Sequence, residues 1–145
     1  MEFFNRLIHA LTQSHPIHPM IVHFPIALSG AALLFILIAW VRKDRNFEMM
    51  AFANLVLTVF GTLAAGLTGL YDNNRNYLGE APNANLKIVL AILMLAVSAL
   101  TAFLRMRSPE LLFSKGKLLY LAGYLISFLL AITLAFLGGV ILYGF

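Results

Sequence analysis

Four long apolar runs decide what this chain can fold into. They cover roughly residues 20–41, 49–71, 86–104 and 118–143, the last inside a stretch that continues from Leu118 to Phe145. A helix rises 1.5 Å per residue, and about 20 apolar residues cross the roughly 30 Å hydrocarbon core of a bilayer. Hydrocarbon offers no water to the backbone, so a lone spanning segment must satisfy its own N–H and C=O groups, as a helix does. The expected fold is all-α: a four-helix transmembrane bundle made of one integral-membrane domain, 1–145. Composition agrees, because 11% charged residues falls far below the ~25% of a soluble domain.

Net charge is +4 and the pI about 9.7, a balance that elsewhere would suggest nucleic acid. Here the basic residues occupy short connections between apolar runs, which is the pattern of membrane orientation. No nucleic-acid partner is expected; the partner is the lipid bilayer. Arg42, Lys43, Arg45, Arg105, Arg107, Lys115 and Lys117 follow the first and third runs. Arg6, Arg75 and Lys87 fall on the other side. The richer side stays in the cytoplasm, so both termini of this multi-pass protein are expected outside, which in a bacterial inner membrane is the periplasm. Asp72, Asn73, Asn74 and Glu80 join the histidines on that outer side, whereas the inner side shows only ordinary loop charges. Polar chemistry is expected at one end.

Residues 1–14 place Phe3, Phe4, Leu7, Ile8 and Leu11 at helical spacing, with Glu2, Asn5, Arg6, Thr12 and Gln13 opposite. The segment is too polar for the apolar region of a signal peptide, and an N-terminal amphipathic interfacial helix is expected instead. Two stripes of small residues follow, Gly61-Ala65-Gly69 in the second run and Gly123-Ser127-Ala131-Ala135-Gly139 in the fourth. Such stripes let helix backbones approach closely. The fourth-run stripe is the expected tightest seam, and either stripe suits other membrane subunits or self-association.

His15 to Pro25 reads HPIHPMIVHFP and holds three of the four histidines and three of the five prolines. Pro19 suits a first helical turn. Pro25 removes the N–H that the Ile21 carbonyl would accept from, so a kink near His23 is expected. At this box the chain resembles a widespread bacterial family of uncharacterised four-helix membrane domains, whose signature is His-Pro-x-His-Pro followed by Val-His-Phe-Pro. His15, Pro16, His18, Pro19, His23, Phe24 and Pro25 fit it. Thr68, Gly69 and Asp72 fit a Thr-Gly-x-x-Asp ending of the second helix. The helical pattern is similar to that of small haem-b membrane cytochromes, and relatives fused to cytochrome-like domains imply a redox neighbourhood. Many relatives carry a histidine about where this chain has Lys87.

Three readings of the histidines stay open. In the first they are structural: His23 bonds the carbonyl freed by Pro25 or pairs with Asp72, while His15 and His18 cap the first helix. In the second they hold a b-type haem, which needs two axial ligands. No histidine occurs after His23, so His23 would need His9, His15 or His18 folded over it, or Met94 for a deeper haem. In the third, His15, His18, His23 and Asp72 hold a metal ion such as zinc or copper. The absence of cysteine excludes thiolate zinc, iron–sulfur clusters and c-type haem attachment. The functional expectation is a non-catalytic subunit of a redox or energy-converting membrane complex, with His23, His18 and His15 as the cofactor-binding candidates. The alternative is a self-contained haem-b or metal-binding protein in electron transfer.

Overall fold

An apolar helix inserted among lipids turns its bulky side chains outward and keeps its small ones for its neighbours. That division organises the chain here. The computed structural model describes residues 2–9 and 17–143, with side chains described at 2–5 and 17–140. The helices are α1 (Glu2–His9), α2 (Ile17–Arg42), α3 (Arg45–Tyr77), α4 (Ala84–Arg107) and α5 (Lys117–Tyr143), with a 3-10 turn at Leu111–Phe113. The last four are long and apolar enough to cross a membrane. Each packs on its neighbours in a ring, α2 on α3, α3 on α4, α4 on α5 and α5 back on α2.

Bulky apolar side chains, among them Phe24, Leu34, Leu57, Phe60, Leu67, Ile92, Leu100, Leu129 and Phe136, face outward. Inside stand Ser29, Thr58, Thr62, Ser98, Thr101 and Ser127, all buried. Their hydroxyls donate back to carbonyls of their own helix three or four residues earlier, as in Thr58 to Asn54 and Ser127 to Gly123 at 2.8 Å each. They are not bonds between helices. Their contribution is small volume with a satisfied polar group, which lets backbones close up.

The most extensive interface is α2 on α3. A Cβ on Gly61 would stand 3.2 Å from Pro25 Cδ, so the buried proline ring sits directly on that glycine. Helix α2 continues through Pro25. The stripe on α5 is used at Gly123, Ser127 and Ala131, all buried. Gly123 abuts α4 so closely that an added Cβ would meet Thr101 Oγ1 at 2.1 Å. Toward the end of α5, a Cβ on Gly138 would meet nothing within 4 Å.

Helix ends differ from the expected segments for local reasons. The turn between α2 and α3 is only Lys43 and Asp44, because Lys43 takes a left-handed backbone and the Asp44 carboxylate accepts the Asn46 N–H at 2.7 Å. That cap starts α3 at once. At its other end α3 continues past residue 71, where the apolar run stops, through the polar YDNNRNY stretch as far as Tyr77. Arg75 Nη1 donates to the Tyr71 hydroxyl one turn back at 2.8 Å, which supports the final turns. Leu78 and Gly79 then turn left-handed, and their N–H groups return to the Asn73 carbonyl. The Asn73 side chain accepts from Ala81 N–H and donates to the Gly79 carbonyl, closing the loop. Helix α1 leaves Phe3 and Phe4 largely exposed.

Candidate functional site

The sequence nominates His15, His18, His23 and Asp72. His15 lies outside the described residues, and so does the side chain of His9. The other three divide, because His18 and His23 are five residues apart on α2 and so point about 140° away from each other.

His18 turns toward α3. Its ring lies against Gly69, where an added Cβ would come within 2.8 Å of Cε1. Only a glycine admits the imidazole at that depth. The Nδ1 atom stands 3.3 Å from Thr68 Oγ1. The Thr68 hydroxyl already donates to the Ala64 carbonyl at 2.9 Å, so its oxygen accepts and His18 Nδ1 carries the proton. Asp72, itself buried, does not pair with an imidazole among the described residues. Its Oδ2 accepts the backbone N–H of His18 at 3.3 Å. The first N–H groups of a helix have no partner within it, and a carboxylate there also meets the positive end of the helix dipole. Asp72 of α3 therefore caps α2 from outside. His18 of the box and Thr68, Gly69 and Asp72 at the end of the second span thus meet in space as one knot.

His23 takes the other direction. It is exposed, and its Nδ1–H donates to the carbonyl of Pro19 one turn earlier. Neither expected partner is used, since His23 meets neither Asp72 nor the Ile21 carbonyl. With Nδ1 committed as a donor, Nε2 keeps its lone pair, and it has no hydrogen-bond partner among the described residues. An imidazole whose Nδ1–H is fixed on a carbonyl is oriented as metal-ligating histidines commonly are.

Among the described residues, no three of His, Asp and Glu stand close enough to share a metal ion. Of the proposed metal ligands, His18 directs Nδ1 to Thr68 and Asp72 directs Oδ2 to the α2 backbone. A bis-imidazole haem is not assembled by the described residues either, because His23 is the one outward ligand they supply. Met94 is buried in packing. Lys87 is half-buried at the start of α4.

The opposite end of the bundle corrects a further expectation. Its charges are not all loop charges. Glu48, in the first turn of α3, is 1% exposed, and its carboxylate receives both Arg105 Nε and Arg105 Nη2 from α4 at 3.1 Å each. The Tyr120 hydroxyl of α5 donates to the same carboxylate at 2.9 Å, and Tyr124 bonds Tyr120 at 3.0 Å. Arg105 also lies 4.6 Å from the Phe52 ring centroid. One buried carboxylate so ties three helices together, and among the described residues every buried side-chain polar atom has a partner. The available signal was an acid opening the second span and an arginine closing the third, at the same end of the bundle.

No curated protein and no solved structure matches the chain. A family described as "Predicted membrane protein (DUF2231)" does match, over residues 14–145, which takes in the histidine box, the α3 knot and all four spanning helices. The chain therefore belongs to the DUF2231 family of predicted membrane proteins.

Proposed function

We propose that the protein is a non-catalytic integral-membrane subunit of a redox or energy-converting complex, and that it meets a cofactor or neighbouring subunit through His23. The observation carrying this reading is the outward imidazole with Nδ1–H held by Pro19 and no internal use for Nε2. A polar ring on the outside of a spanning helix is costly unless something answers it. His18 lies against α3 while His23 is exposed, so contact with an outside partner falls to His23. A haem or transition-metal centre ligated there would supply one-electron chemistry, and this chain would contribute one ligand and fix its tautomer. A shared ligand set favours a subunit over a self-contained haem or metal protein, which would need His15 as well.

The bilayer placement belongs to the same reading: the bacterial inner membrane, with the histidine end and both termini in the periplasm and α1 lying in the interface. The basic turns after α2 and α4 support it, because the Arg45–Glu110 ion pair joins those two connections at one end of the bundle. Extraction of the native protein in mild detergent tests the proposal. The expected result is an assembly much larger than the 16.0 kDa chain, containing other polypeptides and visible absorption or bound metal that His23→Ala removes. A colourless, metal-free single polypeptide, unchanged by His23→Ala, would overturn it. An isolated coloured monomer would instead support the self-contained reading.

A further inference from the structure

At the basic end of α2 the outward surface has a distinct shape. Leu37, Ile38 and Val41 line a shallow apolar groove with Arg42 at its end. The Arg42 guanidinium lies 5.8 Å from the Phe47 ring centroid on α3, a contact that orients the cation without neutralising it. Other arginines nearby are neutralised, Arg45 by Glu110 and Arg105 by Glu48. No carboxylate stands within ion-pair distance of Arg42 among the described residues. Lys43, next in the chain, is exposed as well. Trp40, in the same helical turn as Leu37 and Val41, is 44% exposed; an indole on a spanning helix settles at headgroup depth.

We infer that this groove binds an anionic phospholipid. One acyl chain lies along Leu37, Ile38 and Val41, and the headgroup phosphate meets Arg42 with Lys43 adding to the field. A zwitterionic lipid fills the apolar part equally well, but its own ammonium offsets the pull on Arg42, so charge makes the selection. The inference does not depend on the role given to His23.

Trp40 is the one tryptophan in the chain, which makes its fluorescence a local reporter of this groove. The full chain is reconstituted into vesicles of phosphatidylcholine containing either brominated phosphatidylglycerol or brominated phosphatidylcholine, and quenching of Trp40 reads which lipid lies beside it. One basic residue near the surface favours an anionic lipid by about fivefold, so the wild type is expected to prefer phosphatidylglycerol by about that factor. Arg42→Gln should lower the ratio severalfold toward one, with Lys43 retaining a small remainder. Arg107→Gln, which removes an exposed cation at the same end of α4, should leave it unchanged. A wild-type ratio of one overturns the inference, and it needs no variant to fold. An equal fall in Arg107→Gln also overturns it, since the preference would then belong to the whole basic end and not to this groove.

Discussion

Five residues separate His18 from His23, and the helix between them turns the two imidazoles to different surroundings. His18 fits only because α3 offers a glycine opposite it, and the same logic applies wherever a glycine meets a neighbour. An alanine at Gly69 would place its Cβ 2.8 Å from the His18 ring, and one at Gly123 would fall 2.1 Å from Thr101 Oγ1. Overpacking of this kind costs about 1–3 kcal/mol. Gly66 is in the same helix as Gly69 with nothing within 4 Å of an added Cβ. There alanine improves helix propensity by about 0.5–1 kcal/mol. Thermal unfolding in detergent should therefore rank Gly66→Ala at or above the wild type and both other variants below it. A Gly66→Ala protein as damaged as Gly69→Ala would contradict the packing described for α3.

Between elements, the main tie away from the histidines is Glu48 with Arg105 and Tyr120. A buried ion pair is weak evidence of net stability, but removing one member leaves an uncompensated charge at a cost of about 3–5 kcal/mol. Arg105→Met alone should thus destabilise the bundle strongly. The double variant Glu48→Gln/Arg105→Met should recover part of that loss, because no buried charge remains. Chemical unfolding of the two proteins checks the order; a double variant less stable than the single would mean that the carboxylate is held by something other than Arg105. This pairing was not legible in the sequence, since 57 residues separate the partners and neither breaks the hydropathy pattern. The spanning helices themselves were legible, because crossing hydrocarbon imposes a length and an apolar content that show directly in the residues. Their ends were less so, because Asp44 and Gly79 act through single caps and backbone angles. Thr68, Gly69 and Asp72 could be grouped with the histidine box by resemblance, but which histidine met them depended on how α2 is rotated against α3.

For the whole molecule, two connections crowded with cations and joined by Arg45–Glu110 predict one orientation in the membrane. The chain has no cysteine, so single cysteines report side without background. Lys115→Cys should react with an impermeant maleimide only after the cells are opened, and Arg75→Cys in intact spheroplasts. The opposite pattern would invert the proposed topology and move His23 to the cytoplasmic face. The central claim is a division of labour, in which His18 helps hold the bundle closed while His23 faces away from it. Side-by-side thermal unfolding of His18→Ala and His23→Ala in one detergent tests this most directly. A loss of about 1–2 kcal/mol in packing and hydrogen bonding at a half-buried site predicts a midpoint several degrees lower for His18→Ala, with His23→Ala within about a degree of wild type. Equal losses, or a larger one for His23→Ala, would contradict the account.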